Sequence, residues 1–212
     1  MEPLKTVRGV IAPLDRANVD TDQIIPKQFL KSISRTGFGE NLFFDWRYRA
    51  DGSPDPGFIL NDEAFRDAAI LVTRHNFGCG SSREHAVWAI AQYGFRVIIA
   101  PHRDENGNRI PGFADIFRNN CAKNGVLTVE LSERQVDDIF ALVARHPGMQ
   151  ATVDLPVQQI TLHAENSPML DFDIDPAIKE RLLEGLDDIT KTLTHEAEIA
   201  AFERTHDTQM PA

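Results

Sequence analysis

Two short runs in which almost every residue is apolar, AAILVT at 68–73 and FRVIIA at 95–100, bracket a helix-patterned segment that stops at Gly94. A strand buried on both faces reads as a continuous apolar run, whereas a strand with one wet face alternates. Two such runs joined through a helix predict a βαβ unit with parallel strands. A third run, VLTVEL, leads to Ser132, which with Gln135 carries a capping-box signature for the helix ERQVDDIFALVARH. The helix pattern FADIFRNNCAKN, ended by Gly125, lies between the second and third runs.

The flanks add to this unit. Thr6 to Ala12 reads as a strand ending at Pro13, followed by the polar loop LDRANVDTDQIIP. Residues 27–50 are mixed: a short amphipathic piece, a glycine-containing loop, then Phe43, Phe44, Trp46 and Tyr48, which read as packing or interface residues rather than a cofactor box. DGSPDPG at 51–57 is a loop. Beyond Pro147 the pattern turns to β in ATVDL, VQQITLHA and DFDI. Asp175-Pro176 then opens a helical stretch, and Gly185 separates it from LDDITKTLTHEAEIAAFE. The expectation is a mixed α/β domain over 1–204 with a helical C-terminal tail, residues 205–212 being frayed.

With 212 residues the chain holds one well-buried core, and 42% hydrophobic with 25% charged residues is a globular composition. A net charge of −10 argues against nucleic-acid or membrane-surface partners, so an anionic ligand must be held by a local group of cations. Cys79 and Cys121 are too few for a disulfide framework or for the four thiolates of a typical iron–sulfur cluster. No apolar run approaches the length of a membrane span, and MEPLKTVRGV lacks a signal core, so the expected location is the cytoplasm.

HNFGCGSSREHAVWAI, residues 75–90, concentrates the chemistry. One reading is local: Ser81-x-x-Glu84 fits a capping box with Ser81 at the N-cap. The other is functional. A helix start favours an anion, Gly78 and Gly80 let backbone approach a ligand, and Arg83 offers a forked cation to a carboxylate or phosphate. Dinucleotide and Walker fingerprints fail, because Arg83 replaces the third glycine and no G-K-[ST] occurs; G-x-S-x-G fails because Gly80 directly precedes Ser81. His75, Cys79 and His85 lack usable zinc spacing.

GCGSSREHA resembles the active-site loop on the swivelling, C-terminal domain of the aconitase superfamily. NVDTDQIIPKQFL, FADIFRNNCAKNGVL and LLEGLDDITKTLTHEAEIAAFE resemble, in order, segments of the small subunits of 3-isopropylmalate dehydratases. The resemblance spans nearly the whole chain and implies a swivelling β/β/α domain. It further implies a hydro-lyase interconverting 2-isopropylmalate and 3-isopropylmalate through 2-isopropylmaleate in leucine biosynthesis. The partner implied is a large subunit carrying the [4Fe–4S] cluster, with no metal on this chain. By resemblance Ser81 is the base, Ser82 and Arg83 hold a substrate carboxylate, and Asp22 is an active-site-adjacent aspartate, whose alternative is a turn or cap role. Lys31 and Arg35, in KQFLKSISRTGFG, are candidates for a second carboxylate contact, against a reading as solvated loop cations. Cys79 occupies a position that varies in type in the resembled loop and is taken as non-catalytic.

One departure stands out. The resembled subunits run almost directly from the I-I-A-P strand end into S-F-A-D-I-F, whereas here HRDENGNRIPG intervenes and Gly112 stands where serine is expected. A lengthened surface loop is the simplest expectation. Alternatives to the overall reading are a sibling hydro-lyase acting on homoaconitate or citraconate, and a non-catalytic anion-binding module.

Overall fold

The apolar runs form the centre of a mixed sheet. The computed structural model describes residues 1–31, 35–166, 168–186, 192–193 and 195–206. Its strands are β1 (Thr6–Pro13), β2 (Ala68–Val72), β3 (Val97–Glu105), β4 (Asn108–Ile110), β5 (Leu127–Ser132), β6 (Gln150–Asp154), β7 (Gln159–Leu162) and β8 (Met169–Asp171). β1, β2, β3 and β5 are parallel neighbours in the order β5-β3-β2-β1. The sheet continues from β1 through an antiparallel meander, β6-β7-β8.

Ile11, Ile70, Leu71, Val72, Val97, Ile98 and Ile99 are fully buried, which is why these strands carry no polar alternation. Helices flank the sheet: α1 (Thr21–Ile24), α2 (Phe44–Arg47), α3 (Glu84–Tyr93), α4 (Asp115–Lys123), α5 (Glu133–Arg145) and α6 (Pro176–Glu184); the last helix, α7 (Glu196–Thr205), exposes its side chains over 196–204. α5 buries Val136, Ile139 and Val143, one stripe at helical spacing. Its capping box forms as expected: Gln135 N–H donates to Ser132 Oγ at 3.3 Å and Ser132 N–H donates to Gln135 Oε1 at 3.0 Å. Asp175 caps α6 by accepting from the amides of Ala177 and Ile178, with Pro176 opening the helix.

The aromatic cluster packs. Phe43 is buried and stacks on Trp46 at 5.6 Å, and Phe44 meets Phe29 edge-on at 4.9 Å. Two expectations change. DFDI is not a strand, because pairing stops at Asp171 and the following residues lead into the Asp175 cap. Residues 102–112 are not a plain loop: β3 runs on to Glu105 and returns as β4, with Arg103 opposite Ile110. Asn106 and Gly107, at φ 52° and 78°, form the tight turn whose backbone twist suits a two-residue hairpin. The helical reading of 186–203 crosses 187–191 and 194, and the frayed-tail expectation falls mainly on 207–212; both sets lie outside the described residues.

Ile98 sits at the middle of the parallel core with no exposed surface. Ile98→Ala is expected to cost about 2–5 kcal/mol of stability, read from denaturant unfolding; a loss below about 1 kcal/mol would mean the sheet centre is loosely packed.

Candidate active site

Two loops leave the carboxyl ends of the parallel strands β1 and β2, the usual place for ligand sites in α/β sheets. They run side by side. Leu14 N–H donates to Val72 O at 2.8 Å, Asn18 N–H to His75 O at 3.0 Å, Gly78 N–H to Val19 O at 2.8 Å and Thr21 N–H to Cys79 O at 3.0 Å. On the other side Phe77 N–H donates to Gly112 O at 2.9 Å and Ala114 N–H to Phe77 O at 3.1 Å. The glycine–serine loop is thus a ribbon clasped between 14–21 and 112–114. Arg74 braces its base by pairing with Asp15 and Asp137, which raises the guanidinium pKa, chiefly through the Asp15 contact.

The loop borders a cleft of about 290 Å³. Thr21, Gly78, Gly80, Ser81, Ser82 and Arg83 line one side, and Ala114 to Phe117 with Asn120 the other. Gly78 has φ +75°, and a Cβ there would stand 2.1 Å from Cγ of Phe117; Gly80 has φ +88°. Both positions therefore require glycine, the first also because the Phe117 ring closes against it. α3 and α4 both begin at this cleft, and neither N-cap residue, Arg83 or Ala114, uses its side chain to cap. Two uncapped helix starts converge where an anion would be stabilised.

The capping box expected of Ser81 and Glu84 does not form. The N-cap is Arg83, in extended conformation, and Glu84 accepts a hydrogen bond from Asn124 Nδ2 at 3.2 Å instead. Ser81 lies three residues ahead of Glu84, the first residue of the helix, and its carbonyl accepts from Thr21 Oγ1 at 2.8 Å. Ser81 and Ser82 are exposed, so both hydroxyls are available to a ligand.

Arg83 is held from below. Its Nη1 lies 2.7 Å from Asp22 Oδ1, while Lys27 Nζ lies 3.3 Å from the other Asp22 oxygen. The Arg83 side chain is only 13% exposed. The Asp22 contact is out of hydrogen-bond alignment, which leaves both atoms buried without an aligned partner. A largely buried guanidinium whose Nη1 is ion-paired but not aligned for a hydrogen bond is a strong place for a carboxylate. The cap of α1 is Asp20, in a full capping box with Gln23, so Asp22 is free to act as the arginine's counter-ion.

Lys31 and Arg35 are not brought to the cleft wall. Lys31 ends a 3₁₀ turn and is exposed; Arg35 is exposed with its guanidinium 5.5 Å from the Trp88 ring centre and its carbonyl accepting from Gln92 Nε2. Conversely, the sequence reading had not singled out Thr21 or the start of α4 as part of the site, although both fall inside quoted motifs. A second hollow, about 420 Å³, lies between the β3–β4 hairpin and the segment leading into α6. It is lined by none of the candidate catalytic or substrate-binding residues.

Burial, then the Asp20 carboxylate, pushes the Cys79 thiol up, and burial pushes Cys121 well up. Both therefore stay protonated at neutral pH. Among the described residues no group of three or more His, Cys, Asp or Glu is placed to hold a metal ion. The donor set of this chain does not fit an iron–sulfur cluster.

The aconitase C-terminal domain model matches residues 1–134. A 3-isopropylmalate dehydratase small subunit of Desulforapulum autotrophicum is 58% identical over 210 residues, 99% of this chain and 98% of that one. This chain belongs to that small-subunit family. Its counterpart in Magnetococcus marinus is 52% identical, covering 100% of this chain and 98% of the relative. The crystal structure of the 3-isopropylmalate dehydratase LeuD of Methanocaldococcus jannaschii superposes with a TM-score of 0.64 at 21% identity, over 92% of this chain and 98% of that one, and so shares the fold. The swivelling-domain fold expected from the sequence is the one observed.

Two outcomes follow from this geometry. Gly78→Ala is expected to lose more than about 1 kcal/mol of stability by denaturant unfolding; an unchanged midpoint would show that Phe117 is not held against the loop. Cys79 should react with iodoacetamide more slowly than a free thiol at neutral pH and catch up as pH rises, read by mass spectrometry of the labelled peptide. Rapid labelling at neutral pH would mean a thiolate that this environment does not favour.

Proposed function

We propose that this chain is the small subunit of a cytoplasmic 3-isopropylmalate dehydratase. With a cluster-bearing large subunit it would interconvert 2-isopropylmalate and 3-isopropylmalate in leucine biosynthesis. The observation that carries the reading is the largely buried Arg83 guanidinium, its Nη1 without an aligned hydrogen bond, beside two exposed serines. That set offers a carboxylate a bidentate partner and, next to it, a hydroxyl able to work on the adjacent carbon.

In this reading Ser81, as the alkoxide, takes the proton from the carbon next to a carboxylate. The C–H electron pair becomes the new double bond and the hydroxyl leaves the neighbouring carbon; rehydration in the other sense completes the isomerisation. Arg83 and the amides at the start of α3 stabilise the alkoxide and orient the substrate, with Ser82 holding the same carboxylate. Lys31 and Arg35 would serve the far end of the dicarboxylate from the 27–40 segment. A Lewis acid for the departing hydroxyl would be the large subunit's contribution. The exposure of Ser81 and Ser82 supports a shared site, because an alkoxide base needs water excluded by a partner surface.

Anaerobic co-expression with a matching large subunit tests this. Isopropylmalate should turn over in preference to homoaconitate and citraconate, and only with both chains present. Ser81→Ala should lower kcat by about 10²–10⁴-fold, and Arg83→Lys should both raise KM and lower kcat, since lysine cannot make the forked contact. Another substrate preferred would move the specificity; an intact complex without turnover of any would leave an anion-binding module.

A further inference from the structure

We infer that Thr21 is a positioning residue for Ser81: its buried hydroxyl fixes the Ser81 carbonyl and thereby sets where the serine Oγ stands in the cleft. The inference rests on the reading of Ser81 as the base.

Ser81 has little else to hold it. It precedes the N-cap of α3 by two residues, so the helix does not define its backbone. Gly80 before it sits at φ +88°, and Ser82 after it makes no hydrogen bond among the described residues. The bond from Thr21 Oγ1 to the Ser81 carbonyl, 2.8 Å, is the one hydrogen bond Ser81 forms among the described residues. Thr21 also donates its N–H to the Cys79 carbonyl at 3.0 Å, so one residue holds the loop on both sides of Gly80. The two are in van der Waals range: a Cβ on Gly80 would lie 3.8 Å from Thr21 Oγ1.

Thr21 is itself firmly set. It is 2% exposed and opens α1, whose capping box is complete on the residue before it. A buried hydroxyl costs free energy unless it is hydrogen-bonded, and this one is bonded to the loop rather than to its own helix. The following residue, Asp22, meets Arg83. Neighbouring residues on α1 therefore address the proposed base and the proposed carboxylate anchor separately. Proton abstraction requires hydrogen-bond reach at the reacting carbon, and a base displaced by about 1 Å loses roughly 10²-fold in rate.

The test uses the assembled two-subunit enzyme with Thr21→Val and Thr21→Ser. Steady-state constants are read with isopropylmalate, protonated or deuterated at the carbon that loses its proton. Thr21→Val should lower kcat by roughly 10²-fold with KM unchanged and enlarge the primary isotope effect, while Thr21→Ser restores both. Wild-type kcat and isotope effect in Thr21→Val would overturn the inference. So would a Thr21→Ser enzyme as impaired as Thr21→Val, since the residue would then act through its methyl group. If Thr21→Val does not assemble, Thr21→Ala against Thr21→Ser decides: equal kcat overturns it, and a loss confined to alanine supports it. Full activity in Ser81→Ala would remove the underlying reading as well; a defect in Ser81→Ala without one in Thr21→Val removes the inference alone.

Discussion

Two buried threonine hydroxyls, exchanged between the loops that follow β1 and β2, hold the working edge of the sheet together. Thr21 reaches from the first loop to Ser81 in the second, and Thr73 reaches back from the second to the Arg16 carbonyl at 3.0 Å. Both are buried, where an unpaired hydroxyl would be costly, so each bond also disfavours separation of the loops. The glycine–serine ribbon lies between them, and the proposed base Ser81 and carboxylate anchor Arg83 stand on that ribbon. Residues 112–114 clasp it from the far side, so the loop behaves as an irregular extension of the sheet.

The central βαβ unit was legible because a strand covered on both faces leaves an unbroken apolar run, and the α5 cap because Ser132 and Gln135 have no competing partners. The Ser81 cap was misread for the opposite reason. Ser81-x-x-Glu84 satisfies the local rule, but a hydroxyl sixty positions earlier claims the Ser81 carbonyl and Asn124 claims Glu84. Local pattern had no access to either competitor. The Asn106-Gly107 turn did signal a hairpin, and only the polarity of its flanks made it read as loop.

The candidate site divides in the same way. Ser82, Arg83 and the two glycines could be singled out because they are contiguous and chemically conspicuous, and they line one cleft. Asp22 was singled out through its motif; it pairs with Arg83 without lining the cleft. Thr21 carries no charge and sits in an ordinary-looking DTDQI, so its contribution appears only when the loops are seen together. Lys31 and Arg35 lie outside the cleft lining, so their charge alone did not fix their distance from Arg83.

The β3–β4 hairpin has a bearing on how such a chain tolerates change. Its two arms pair with each other, and its exit is tied down where Glu130 Oε1 accepts from Gly112 N–H at 3.1 Å. Extra residues accommodated this way form a self-closed ribbon that enters and leaves the sheet at nearly the same place. A longer or shorter ribbon would leave Phe113 and α4 where they are, so length at the periphery is uncoupled from the geometry of the cleft wall.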